Sequence, residues 1–174
     1  MRAVFVLTML AACGRVAFDE IEGPPAPDTA APRCAAGFDP VPDAPLQYRF
    51  EVTPVSWSEA LETCRGFGPG HSLALPTSDA ERLALGAAAR AKLVDRWWLG
   101  GTDEAMEGVW IDPEGAPIDY QPWAPGEPNN TGEGGENCLD ILADPIEGVD
   151  RTDRFDDRAC GAAYPFICVC TLGD

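Results

Sequence analysis

Residues 122–138 read Pro122-Trp123-Ala124-Pro125-Gly126-Glu127-Pro128-Asn129-Asn130-Thr131-Gly132-Glu133-Gly134-Gly135-Glu136-Asn137-Cys138. Prolines, glycines and asparagines at this density interrupt helix and strand alike, so the stretch predicts a long loop. Within it, Glu127 and Asn129 stand on either side of Pro128. A carboxylate and an amide carbonyl are oxygen donors of the kind a hard cation gathers from flexible loops, about six to eight at a time. For side chains so spaced to converge, the backbone between them must turn sharply, which a cis Glu127-Pro128 bond would achieve. The triplet alone is a weak signal, because such residues are ordinary loop material.

Outward from this loop, acids accumulate. Between residues 127 and 157 stand ten (Glu127, Glu133, Glu136, Asp140, Asp144, Glu147, Asp150, Asp153, Asp156 and Asp157) against Arg151 and Arg154 alone. Carboxylates so dense repel one another on folding unless solvent or a bound metal compensates them. The whole chain carries a formal charge of −17 over 174 residues. That balance excludes nucleic acid as a partner and adhesion to anionic lipid by charge.

The rest of the chain predicts one α+β domain rich in loops. Alternation over 47–52 reads as a half-buried strand. Ser56-Trp57-Ser58-Glu59 has the capping-box pattern and opens a short helix to Cys64. Ser78-Asp79-Ala80-Glu81 opens another, running to about Leu93. Brief apolar runs then suggest strands at 97–100, 109–111, 138–142 and 163–170. The tryptophans Trp57, Trp97, Trp98, Trp110 and Trp123 read as packing residues, with Trp123 also placed to touch a ligand beside the loop. His71, the one histidine, reads as a loop residue without a nucleophile or base beside it, so no catalytic residue is assigned and the chain is not read as an enzyme.

The start, Met1-Arg2 and then the apolar run Ala3 through Leu10, is too short to span a membrane and reads as an export signal. It ends in Leu10-Ala11-Ala12-Cys13-Gly14, which resembles a bacterial lipobox, with Cys13 as the lipidation site. The expected organisation is a lipoprotein signal peptide over 1–12, a lipidated, Pro-rich acidic tether over 13–33, and a folded domain over 34–174. The expected address is the cell envelope, lipid-anchored to the outer membrane, or the exterior if Cys13 is not lipidated. Seven cysteines less Cys13 leave an even number, suited to disulfides in an oxidising compartment.

The order of several short segments carries a family resemblance. Trp98-Leu99-Gly100-Gly101-Thr102-Asp103, Glu127-Pro128-Asn129, Glu136-Asn137-Cys138, Phe155-Asp156-Asp157-Arg158-Ala159-Cys160 and Pro165-Phe166-Ile167-Cys168 resemble the landmarks of C-type lectin-like domains. The resemblance implies two helices with small antiparallel sheets, a long calcium-binding loop region, and disulfides stapling the whole. It implies calcium as cofactor, held by Glu127, Asn129, Glu136, Asp156 and Asp157. It implies a glycan partner bound through vicinal 3- and 4-hydroxyls of mannose, N-acetylglucosamine or fucose type, with Glu127, Asn129, Glu136 and Asp156 touching sugar. A hydroxyl on the cation donates to a carboxylate and accepts from an amide NH2, so mixed Glu/Asn pairs suit it. Here the family's Trp-Asn-Asp is Phe155-Asp156-Asp157, and an ionised Asp156 only accepts.

A second metal site is implied at Asp103, Glu107, Asn130 and Glu136, weakened because Asn130 and Asn137 replace the acids of relatives that have it. The resemblance also implies Cys64–Cys168 and Cys138–Cys160. Cys34 lacks the nearby partner of long-form relatives and is expected to bond Cys170. The alternative to sugar binding is a protein ligand, with calcium only stiffening the loops.

Overall fold

The computed structural model describes residues 33–132, 134–143 and 151–172. The expected signal peptide and Cys13, with all but the last residue of the tether, lie outside the described residues, as does most of the long loop after Ala143.

Local sequence signals set the two helices. In α1, Trp57–Arg65, the Ser56 side chain accepts from Glu59 N–H while the Glu59 carboxylate accepts from Ser56 N–H, the reciprocal box expected. In α2, Asp79–Arg90, Ser78 caps Glu81 N–H, but the Glu81 carboxylate turns to Thr77 N–H (2.9 Å) and the Tyr48 hydroxyl (2.6 Å) instead. The helix stops three residues short of Leu93, which takes a positive φ of 58°.

Among the described residues, seven strands make one continuous sheet: β1 (Asp39–Pro40), β2 (Gln47–Val55), β3 (His71–Leu73), β4 (Arg96–Thr102), β5 (Cys138–Leu142), β6 (Phe155–Arg158) and β7 (Tyr164–Cys170). Their order is β1-β2-β7-β4-β5-β6, with β3 also on β7. Every pairing is antiparallel except β4 with β7, which meet in parallel at Trp98 and Phe166. The run at 109–111 is not a strand; only Ile111 bridges, to Thr102 and Pro117. His71 lies in β3 and is buried, accepting from Ala35 N–H at Nε2, rather than in a loop.

The central strand β7 shows why its apolar run is unbroken. Ile167 and Val169 join a cluster with Tyr48, Trp97, Leu99, Ile141 and Phe155 on one face. Phe166, Cys168 and Cys170 join Trp57, Cys64, Trp98 and Cys138 on the other. A sheet covered on both faces has no use for polar alternation. The bonds Cys34–Cys170, Cys64–Cys168 and Cys138–Cys160 are all present, tying the first described segment, α1 and β5 to the second cluster or its edge. The α+β, disulfide-stapled architecture with two helices expected from the sequence is therefore the one observed, with the strands merged into a single sheet.

The last described turn of the long loop is pinned against α2. Asp153, at φ 59° and buried, accepts from Arg90 through Oδ1, while its carbonyl accepts from Arg82 Nη1 at 2.6 Å. Gly86 makes room for it: a Cβ there would lie 1.8 Å from Asp153 Oδ1. Glycine-to-alanine in a helix ordinarily gains up to about 1 kcal/mol. Gly86→Ala is expected to reverse that sign and cost about 1–3 kcal/mol, the usual range for overpacking. The midpoint of urea unfolding, with disulfides intact, measures it.

Candidate functional site

The strand β6 is the last in the sheet, and an open strand edge leaves backbone groups unpaired. The Pro-rich loop closes it. Phe155 N–H donates to Pro122 O, Ala124 N–H donates to Phe155 O, and Trp123 bridges Phe155 in parallel. Trp123 packs on Trp110 with ring centroids 4.8 Å apart, so its ring serves the core of the loop. Farther along, the loop changes from pairing with backbone to pairing with side chains. Asn129 N–H donates to Asp157 Oδ1 (3.0 Å) and Oδ2 (3.1 Å), and Asn130 N–H to Asp157 Oδ2 (2.7 Å). The Glu127-Pro128 bond is cis.

These contacts gather carboxylates. Oxygens of Glu127, Asp156 and Asp157 lie within 4.8 Å of one another, and both aspartates are fully buried. Burial first, then the Asp156 charge, hold the Glu127 carboxyl above its usual range, with Arg151 pulling against them. Asn129, exposed, donates its amide to Glu127 Oε2, so the two residues flanking Pro128 do converge. Glu136 is buried outside that convergent group, its Oε2 accepting from Thr131 Oγ1 at 3.2 Å and its Oε1 from Arg158, which also reaches Asp156. All five residues expected to bind metal thus share one edge of the sheet.

The second expected site is differently built. Asn130 donates its amide to Glu107 Oε2 and accepts from Glu136 N–H at 2.7 Å, bridging the two by hydrogen bonds. Asp103 turns its Oδ2 to Gly108 N–H at 2.8 Å and buries Oδ1 without a hydrogen-bond partner, its carboxyl raised by that burial. Among the described residues, these four do not form a carboxylate cluster like that at Glu127.

Four charged side chains at the edge escaped the sequence reading of the site. Arg151 Nη1 donates to Glu127 Oε1 at 2.7 Å. Arg158 bridges Glu136 Oε1 (2.9 Å) and Asp156 Oδ2 (2.7 Å). Arg96 Nη1 lies 2.8 Å from both Asp140 Oδ2 and Asp156 Oδ2. Asp140 and Asp156 are direct partners across β5 and β6, where like charges are unfavourable, and burial pushes Asp140 up to about 7 despite Arg96. A lone acid in the buried run Cys138–Leu142 was the available signal, since a buried charge demands a partner. The expectation that only solvent or metal offsets the acids is corrected accordingly: guanidiniums from β4, β6 and the long loop share that role.

A hard cation fits this donor set. The convergent groups are oxygen donors, and Asp156 Oδ1 is buried without a hydrogen-bond partner. Counted fully ionised, the five carboxylates (Glu127, Glu136, Asp140, Asp156, Asp157) exceed the three guanidiniums by two charges, that of one calcium ion.

Residues 53–170 match the family described as Lectin C-type domain. The chain belongs to the C-type lectin domain family. It is 30% identical over 139 residues to a C-type lectin mannose-binding isoform of Oxyuranus scutellatus, a match covering 79% of this chain and 84% of that one. It is 43% identical over 91 residues to collectin-43 of Bos taurus, covering 51% of this chain and 27% of the relative. Among solved structures it resembles the cow C-type carbohydrate-recognition domain of CD23, determined in the presence of a GlcNAc2Man3 oligosaccharide, with a TM-score of 0.66 at 26% identity over 82% of this chain and 98% of that one. C-type lectin domains are generally non-enzymatic and typically bind calcium.

Proposed function

We propose that the domain binds carbohydrate through calcium held by Glu127, Asn129, Glu136, Asp156 and Asp157. The observation that carries this reading is the convergence of the Glu127, Asp156 and Asp157 oxygens within 4.8 Å beside the exposed Asn129. Calcium, when bound, supplies positive charge and coordination positions for two vicinal hydroxyls. Asp157 holds the loop backbone, Glu127 accepts a hydrogen bond from a hydroxyl, and Asn129 donates its amide N–H to the same hydroxyl. Mannose, N-acetylglucosamine and fucose types, with vicinal 3- and 4-hydroxyls, are the sugar class. Two relatives described as mannose-binding or crystallised with a mannose-containing oligosaccharide favour that class.

A glycan array read in calcium and in chelator tests the proposal, with Asn129→Asp as control. Wild type is expected to bind one defined sugar class in calcium alone, and Asn129→Asp to lose about tenfold of that signal, the upper scale of one lost neutral hydrogen bond. No glycan signal from calcium-loaded wild type would favour a protein-binding module instead. The guanidiniums already paired with Glu127, Glu136 and Asp156 favour that second reading, since they steady the edge without a sugar.

We also propose that Cys13 carries lipid and that a tether ending near residue 33 presents the domain from the cell envelope. Mass spectrometry of the mature N-terminus is expected to find a diacylglyceryl thioether on Cys13; an unmodified thiol there leaves a secreted protein.

A further inference from the structure

We infer that a cavity beside β3 binds a small aliphatic amine, its ammonium group seated on Glu81 and its chain on the apolar floor next to it. The site is separate from the carboxylate edge, since β4 and β5 lie between β7, which contributes to the cavity, and β6. The cavity encloses about 630 Å3 and is bounded by the residues before β2, by β3, the end of β7, the 112–114 turn and the start of α2. That volume is typical of sites that take small molecules.

Strand register makes the floor apolar. Val169 pairs with Ser72 across β7 and β3, so both side chains leave the sheet on the face that also carries Leu46 and Leu75. The core covers Leu46 and Leu75 only in part, and Pro45 and Pro113 add to the aliphatic surface left open to the cavity.

The charges around this floor have one sign. Among the described residues Glu81, Asp112 and Glu114 line the cavity, and no lysine or arginine does. His71 also lines it, but its Nε2 accepts from Ala35 N–H at 3.1 Å and its Nδ1 lies 3.1 Å from the Gly68 and Pro69 carbonyls, a pattern the neutral ring satisfies. Glu114 is answered in part by Arg65, 3.5 Å away on the exposed rim. Asp112 turns Oδ1 to the N–H groups of Glu114 and Ala116, which holds the turn and brings no charge.

Glu81 is the decisive group. It is 3% exposed and accepts from the Tyr48 hydroxyl (2.6 Å), Thr77 N–H (2.9 Å) and Thr77 Oγ1 (3.1 Å). All three donors are neutral. Burial first, then the bond to Glu81, hold the Tyr48 hydroxyl above its usual range, so the tyrosine stays a donor. Among the described residues no cation pairs with Glu81. A carboxylate offers about four acceptor positions, of which three are taken. Buried charges are ordinarily paired, and an ammonium entering the cavity supplies the absent charge together with the fourth bond. Its tail covers the aliphatic floor, whereas an anion would meet three acids. A free amine suits the site better than a protein's lysine, because separate stretches of chain converge on a concave pocket rather than an extended face.

Calorimetric titration of the whole chain with hexylammonium chloride, in chelator and at low salt, tests this, with hexanol and hexanoate as controls. One saturable site per chain is expected, at least about tenfold tighter than for either control, the scale of a hydrogen bond to a charged group. Each methylene added from butyl to hexyl is expected to tighten binding by up to about fourfold. Glu81→Gln is expected to lose at least about tenfold in amine affinity and to leave hexanol unchanged. Even if that variant does not fold, because Glu81 joins α2 to Tyr48 of β2, Ser72→Phe decides the matter. It sets a ring beside Val169, outside the bonds to Glu81, and is expected to abolish amine binding while melting temperature and calcium affinity stay close to wild type. Hexylammonium bound no more tightly than hexanol, or bound equally by wild type and folded Ser72→Phe, overturns the site. So does a short peptide with a single lysine that binds more tightly than hexylammonium, since the occupant would then be a protein.

Discussion

Arg96→Met is expected to lower unfolding free energy by about 3–5 kcal/mol, the cost of stripping the partner from a buried ion pair. Arg96 comes from β4 and lies 2.8 Å from both Asp140 Oδ2 and Asp156 Oδ2. Both carboxylates are fully buried and sit directly opposite one another on β5 and β6. Methionine preserves the apolar stem and removes the charge, so the two acids are left face to face with Arg158 alone reaching Asp156. Asp140, already pushed up to about 7 by burial, takes up a proton more readily in the variant, which limits the loss. Urea unfolding in chelator with the disulfides intact gives the number. Arg96→Met combined with Asp140→Leu is expected to recover most of it, because replacing both members of a buried pair by apolar groups is often neutral. A loss below about 1 kcal/mol in the single variant, the range of an exposed pair, would show that the network does not hold the edge.

The second large effect is expected at Asp157. Its oxygens accept from the backbone N–H groups of Asn129 and Asn130, and one of them belongs to the carboxylate cluster with Glu127 and Asp156. Two duties therefore fall on one side chain, latching the loop to β6 and carrying charge toward the cation. Asp157→Ala removes both. Calcium affinity is expected to fall at least about a hundredfold, beyond the range found for residues that only orient metal ligands. The melting temperature in chelator is expected to fall as well, because the loop N–H groups of Asn129 and Asn130 lose a charge-assisted acceptor worth about 1.5–3 kcal/mol. Asp157→Asn separates the duties: its carbonyl still accepts from the loop, so melting in chelator stays close to wild type while calcium affinity falls. Calorimetric titration and thermal melting read the two effects independently. Equal calcium affinity in wild type and Asp157→Asn would remove Asp157 from the cation site.

Much of this was legible along the chain because its causes are local. The capping box at Ser56 and Glu59 depends on residues three apart, and it formed as written. The α2 start at Ser78 was equally local, but Glu81 turned away because Tyr48, brought in by the fold, offered a buried hydroxyl. The short strands at 39–40, 71–73 and 155–158 escaped notice, since so few residues show no period and pairing alone makes them strands. The same reason explains the run at 109–111, apolar enough to suggest a strand but given no partner beyond a single bridge at Ile111.

By itself, the sequence determined the two-helix, disulfide-stapled α+β class, the loop at Glu127, Pro128 and Asn129, and the acids that the family resemblance assigns to it. What it left open is how those acids coexist. Arg96 lies 44 residues from Asp140 and 60 from Asp156 along the chain, and Arg151 lies 24 from Glu127. Only the register of β4, β5 and β6, with the loop laid along the free edge, brings these charges to contact distance. Coulomb energy depends on separation in space and on burial, and neither is a property of sequence distance. Tertiary structure thus decided that the edge which gathers five carboxylates also carries three guanidiniums, and that Arg158 stands between Glu136 and Asp156.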